Sequence, residues 1–182
     1  MKPWRILAKR VLLERPPWLT VGEQDVELPD GTVLDGFNWI STRAFAIVVP
    51  VLGGDRTLLV RSFKLGVGAV SLSLPAGYLE DGEEPLAGAK RELLEETGHE
   101  ATEWIALGRY VVDGNYGSGA MHAFIAKGAR RVGEPNSGDH EEQELLTLPF
   151  SEAIAKLRAG EVAQLSTAAA LGLAAIALRE GR

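Results

Sequence analysis

The stretch from Gly77 to His99, GYLEDGEEPLAGAKRELLEETGH, sets the strongest limit on what this chain can fold into. It places seven acidic side chains in one loop and one helix. Pro85 suits a first helical turn and Gly98 a left-handed stop, so a helix is expected between them. On that helix Glu92 and Glu96 stand four residues apart and Glu95 three from Glu92, which puts all three on one face. Carboxylates stacked this way repel and raise one another's pKa unless a positive group sits among them. Arg91, four residues before Glu95, is placed to supply it. Two readings follow from the spacing: a solvated acidic face, or a bed for a divalent cation. Leu86, Leu93 and Thr97 are expected to form the adjoining core face, with Leu94 at its flank. Gly88 and Ala89 are expected to leave room for a bulky ligand or a close backbone.

The bulk properties narrow the field. With 182 residues, 46% hydrophobic and 24% charged, the chain suits one substantial soluble domain, or one with a small appendage. A net charge of −6 argues against a general nucleic-acid grip. The absence of cysteine excludes disulfides, thiolate catalysis and Cys-type zinc sites, and fits a reducing compartment. Charged residues interrupt every apolar run of the N-terminus, and Ala168–Leu178 is too short to span a bilayer. A cytoplasmic protein with no membrane partner is expected.

Residues 1–40 read as a strand-rich piece: Val11–Leu13, then Trp18–Leu28, a turn at Pro29-Asp30-Gly31, and Thr32–Ile40. Such a meander is marginal alone and needs another surface. Ala44–Leu52 has the continuous apolar character of a central strand. Thr57–Phe63 and Val70–Leu74 follow as strands. Ala101–Val112 reads as one strand or two, and Ala120–Ala126 as another. Residues 128–143 are turn-rich and expected to be an exposed loop. Glu144–Leu148 is a last strand. Ser151 is expected to cap a helix ending near Ala159, and residues 164–180 form the final one. Domains are therefore expected at 1–40 and 41–182, with a mixed sheet sandwiched between helices.

The acidic stretch fits Gly-x5-Glu-x7-Arg-Glu-x2-Glu-Glu-x-Gly, read on Gly77, Glu83, Arg91, Glu92, Glu95, Glu96 and Gly98. Seven fixed positions arise by chance in such a chain with odds of about 1 in 10⁵. At these residues the chain resembles the Nudix hydrolase family, whose signature box this is. His99 stands where the box is normally apolar. The resemblance implies an α/β/α sandwich and a hydrolase that cleaves a nucleoside diphosphate linked to another group. It also implies Mg²⁺, with Mn²⁺ as a substitute, held by Glu92, Glu95, Glu96 and the backbone carbonyl of Ala76. Arg91 and Glu83 would orient the loop and helix.

Outside the box, Ala46–Leu52, Leu59–Lys64 and Leu74-Pro75-Ala76-Gly77 resemble ADP-ribose and ADP-sugar pyrophosphatases. That resemblance implies a homodimer formed through residues 1–40. It makes Arg61 and Lys64 candidates for phosphate contact. Trp39 is a candidate for stacking on the base, against an equal alternative as an interface anchor. Tyr116, in the Gly-rich loop at 113–117, would shape the pocket. A loop glutamate would act as general base or orient water: Glu141 is the best positional match, then Glu142, then Glu144. Ser73 and Gly114 depart from that branch, which carries Glu and Pro there, so a GDP- or UDP-sugar, a dinucleotide, or a sensor without turnover stay open alongside an ADP-sugar.

Overall fold

A computed structural model describes residues 1–136, 138 and 142–181. The chain divides into two compact units, 1–44 with 110–120, and 45–109 with 121–182.

The first unit is a three-stranded antiparallel sheet in the order β1 (Arg5–Arg15), β2 (Leu19–Glu27), β3 (Val33–Thr42). β1 is far longer than the Val11–Leu13 core expected, because its charged positions find cross-strand partners. Arg5 bonds Glu27, and Arg10 bonds both Glu23 and Asp25. Bulges between Ile6 and Ala8 and between Val11 and Leu13 shift the register and break simple alternation. The segment 110–120 joins this unit through the Ile40 amide, which donates to the Tyr116 carbonyl at 2.9 Å. Many large apolar side chains of this unit stay exposed, among them Ile6, Val11 and Leu12 of β1 and Trp18 of the turn that follows it.

The second unit is built on a mixed seven-stranded sheet. Its main path runs β12 (Gln143–Pro149), β5 (Arg56–Lys64), β4 (Phe45–Leu52), β10 (Ala120–Lys127), β9 (Glu103–Val111), with β6 (Ala69–Ser73) on β5 and β7 (Ala76–Tyr78) on β4. Alternation along β4 assigns the two faces. Ile47 and Val49 belong to the cluster that includes Ala153 of α2 (Phe150–Arg158) and Leu171 and Ala174 of α3 (Leu165–Arg179). Ala46 and Val48 belong to the opposite cluster, with Ala89 and Leu93 of α1 (Pro85–Thr97). One helix covers one face and two cover the other, the expected α/β/α sandwich.

Several local expectations are corrected. α2 begins at Phe150 after Pro149, so Ser151 lies inside the helix and caps nothing. The Phe150 amide donates to the Asp55 carbonyl at 2.9 Å, and its buried ring fixes the start. Within 128–143, β11 (Arg130–Arg131) pairs with β8 (His99–Glu100), so that segment is not all loop. On α1 the buried set is Gly88, Ala89, Glu92, Leu93 and Thr97, while Leu86 is exposed. Among the described residues no helix is long and apolar enough to cross a membrane.

Candidate active site

The site grows out of a split in the sheet. β4 and β5 pair only at Val51–Thr57 and Leu52–Arg56, and then part. β6 and β7 fill the gap: Arg61 of β5 stands opposite Leu72, and Ile47 of β4 stands opposite Ala76. The chain passes from one to the other through Leu74 and Pro75. Val48 donates its amide to the Pro75 carbonyl at 2.9 Å, which pins this crossing.

α1 brings its carboxylates to this split. Pro85 occupies the first turn, and Gly98, at φ 68°, ends the helix with its amide donating to Leu94 at 2.8 Å. A Cβ at Gly98 would fall 2.2 Å from the Gly133 carbonyl oxygen, so close backbone approach adds to the glycine requirement. At Gly77 a Cβ would fall 2.1 Å from Glu92 Oε1. That glycine exists to let the Glu92 carboxyl lie against the β7 backbone. Gly88 abuts Leu79 and Ala89 is fully buried, so these small residues serve helix packing and leave no ligand space.

Arg91 organises the acids. It grips Glu83 with Nε at 2.9 Å and Nη2 at 3.0 Å, and Nη2 also donates to the Tyr78 carbonyl at 3.1 Å. Its Nη1 bridges Glu92 Oε1 at 2.6 Å and Glu95 Oε2 at 3.0 Å. Glu96 accepts from the Ala76 amide at 3.0 Å, tying the helix to β7. Glu92 is only 8% exposed. Burial pushes its carboxyl above the usual carboxylate range; Glu95 and Glu83 push the same way, and Arg91 opposes them. Glu83 is held below that range by its hydrogen bonds from Arg91. The cluster sets one guanidinium against three carboxylates, with a fourth at Glu96, and leaves surplus negative charge partly out of water. Among the described residues no group of three or more acidic or imidazole side chains is arranged to hold a metal as it stands. The guanidinium occupies the place where Glu92 and Glu95 meet.

The other expected residues fall in different places. Arg61 Nη1 pairs with Glu144 Oε2 at 2.9 Å across β5 and β12. Both line an open cleft of about 520 Å³ with Ser62, Phe63, Val70 and Glu142, among others. Lys64 closes β5 and is not part of that lining. Glu141 lies outside the described residues. In the first unit, Trp39 is 9% exposed. Its indole lies against Gly22, donates to the Glu23 carbonyl and carries Lys9 Nζ 3.7 Å from the ring centroid. Tyr116 is partly exposed, with its amide on Asp113 Oδ1 at 2.8 Å. His99 is buried, with Nδ1 2.8 Å from the Thr97 carbonyl, and serves the helix end. Ser73 donates to the Val60 carbonyl at 3.3 Å, replacing a carboxylate by a strand-bound hydroxyl. Sequence reasoning missed Phe63 as a cleft residue; its aromatic ring at a strand end was the available signal.

Comparison with known proteins agrees with this layout. The family model described as NUDIX domain matches residues 41–168. A CMP-5'-(N-acetyl-N-hydroxy-3-aminopropyl)phosphonate hydrolase of Streptomyces rubellomurinus is 31% identical over 87% of this chain and 75% of its own length. An ADP-ribose pyrophosphatase of Bacillus subtilis is 28% identical over 81% of this chain and 80% of its own. The solved structure of an ADP compounds hydrolase superposes with a TM-score of 0.83 at 20% identity, covering 100% of this chain and 97% of that one.

Proposed function

The chain belongs to the Nudix family, and we propose that it is a pyrophosphohydrolase of nucleoside diphosphate sugars whose substrate is ADP-ribose or another ADP-sugar. Water cleaves the P–O–P link, giving AMP and a sugar phosphate. The observation that carries this reading is the Glu92 carboxyl, buried against Gly77 within an acid cluster that Arg91 only partly neutralises.

Nudix hydrolases use divalent metal ions, and the donors here suit one. Carboxylates of Glu92, Glu95 and Glu96 with the Ala76 carbonyl form an all-oxygen set, which matches Mg²⁺, with Mn²⁺ able to replace it. A divalent cation held by these oxygens would supply positive charge against the diphosphate and would make a water on it more acidic. For Glu92 and Glu95 to serve, they must turn oxygens away from Arg91. Arg91 keeps Glu83 and the Tyr78 carbonyl as anchors while they do so. Arg91 thus orients the acids. Arg61 contacts phosphate with help from Lys64, and Glu142 or Glu141 orients the attacking water. The unit containing residues 1–40 forms a homodimer; the exposed Ile6, Val11, Leu12 and Trp18 support this, because a solvated sheet does not keep so many large apolar side chains.

Turnover of a nucleotide-sugar panel with Mg²⁺, read as phosphate after a phosphatase step, tests the reading. Cleavage of ADP-sugars that stops with chelator is expected. Binding without turnover across the panel overturns the enzyme reading in favour of a sensor, and a monomer on sizing removes the dimer.

A further inference from the structure

We propose that the outer face of α3 is an interface between copies of this chain, an antiparallel α3–α3 seam separate from any contact made through residues 1–40.

The seam shows in the spacing. Apart from Ser166 and Thr167, the stretch from Leu165 to Leu178 is apolar and uncharged, the pattern of a helix covered on every side. Within the chain the covered side carries Thr167, Ala170, Leu171, Ala174 and Ala177. On the opposite side Leu165, Ala169, Gly172 and Ile176 recur at steps of four, three and four, the spacing of a helix–helix seam. Leu165 is 76% exposed and Ile176 58%. Glycine weakens a helix interior relative to alanine. Among the described residues a Cβ at Gly172 would meet nothing within 4 Å beyond the helix's own backbone. No packing among those residues therefore asks for glycine there; a backbone approaching from outside does.

The same spacing names the occupant. In an antiparallel pair centred between Ala170 and Leu171, Leu165 stands opposite the partner's Ile176, and Ala169 opposite the partner's Gly172. A two-fold axis repeats both pairings, as a self-complementary contact requires. Large side chains then meet at the two ends, and small ones let the backbones close in the middle. One helix face falls short of the roughly 800 Å² per partner of a standard interface. The surface beside it adds to the contact. Ser71 Oγ accepts from the Ala163 amide at 3.2 Å, which ties the approach to α3 to β6. Val70 of β6 and Phe63, its partner on β5, are both exposed. By alternation they share a sheet face with Leu72 and Leu59, which pack in the α2–α3 core.

Light scattering and crosslinking of the full chain decide it. Ile176→Glu, at an exposed position, should halve the mass of the wild-type assembly. An association through residues 1–40 responds to Leu12→Glu and not to Ile176→Glu, so the two interfaces stand or fail separately. Gly172→Leu is the better helix former in the lone chain, yet it should weaken association by about 10-fold or more, because it overfills the seam. The chain has no cysteine, so introduced thiols report the register. With a short bis-maleimide, Leu165→Cys and Ile176→Cys combined in one chain should link two copies. Neither single variant should, since equivalent positions lie about 16 Å apart along an antiparallel seam. Unchanged mass in Ile176→Glu overturns the proposal. So does unchanged association in Gly172→Leu, failure of the double variant to link, or efficient linking of either single variant, the mark of a parallel pair. A wild-type monomer ends both this seam and the contact through residues 1–40.

Discussion

Two arginines in this chain each gather several acids, and they end up as different things. In the first unit Arg10 holds Asp25 with Nη1 and Nη2 at 2.8 and 2.7 Å and Glu23 with Nε at 2.9 Å, on an exposed sheet. In the second unit Arg91 holds Glu83 in the same two-pronged way but also reaches Glu92 and Glu95. The carboxylates respond in opposite directions. Hydrogen bonds from Arg10 bring Asp25 down to about 2, whereas burial pushes Glu92 up despite Arg91. An arginine that satisfies its acids in water makes a staple. One that leaves a buried carboxylate short of compensation leaves negative charge over, the feature on which the proposed cation site rests. Net charge within reach of each guanidinium, together with burial, separates the two where a motif scan sees only Arg and Glu.

The sharpest way to break the contrast is Glu92→Gln. It should cut kcat by about 10²–10³-fold, a loss of the size seen when one charge-stabilising group is removed. It should not weaken the fold at neutral pH. A carboxyl whose folded pKa is raised contributes stability below its unfolded pKa and loses that contribution as pH rises through the folded value. At pH 7 the charged form is a burden, so the glutamine variant should melt at or above the wild-type temperature, with any advantage fading as pH falls into the ordinary glutamate range. A variant that melts well below wild type at pH 7 makes Glu92 a staple like Asp25.

Gly77→Ala should come next. The added methyl would fall 2.1 Å from Glu92 Oε1 and must push the carboxyl away from β7. Activity should drop by about 10–100-fold, as for groups that orient a metal ligand, with the Mg²⁺ needed for half-maximal rate rising. Arg91→Lys should fall in the same range or below it. An ammonium keeps the charge but cannot hold Glu83 with two parallel bonds while reaching Glu92, Glu95 and the Tyr78 carbonyl. Wild-type Mg²⁺ dependence in the lysine variant would show that charge alone suffices.

How much of this was legible in the sequence follows from how local each demand is. The acidic stretch was readable because Gly77, Arg91, Glu92, Glu96 and Gly98 each answer a requirement set within about twenty residues of chain. Which helix face turns inward was not: Leu86 looked like core and is exposed, because Gly88 against Leu79 and Ala89 against the sheet set the rotation of α1. The start of α2 was lost for a similar reason. A serine is a good cap, but the buried Phe150 and its amide bond to Asp55 outweigh it. Two-residue β8 and β11 carry no periodicity, so their pairing shows only in three dimensions. Trp39 was left between stacking on a base and anchoring an interface, because an aromatic residue in a strand says nothing of what lies against it; within its own unit Gly22 and Lys9 do.

The smallest expected effect tests the other side of the contrast. Asp25→Asn removes one acid from the Arg10 staple and leaves Glu23 in place. Asp25 also accepts from the Gly36 amide at 3.1 Å, which an asparagine oxygen can still do. The pair is exposed, and exposed ion pairs contribute little, so kcat and Mg²⁺ dependence should be unchanged and the melting temperature at pH 7 should fall by no more than about 2–4 °C. The pH dependence carries the sign. A depressed carboxylate contributes stability above its unfolded pKa and loses it as pH falls through the folded value, here about 2. Wild type should therefore lose its margin over the variant between the ordinary aspartate range and pH 2, and the two melting curves should converge at the acid end. If the variant instead lost turnover at neutral pH, the first unit would be contributing to catalysis through its charges, and the division between a staple at Arg10 and a cation site at Arg91 would fail.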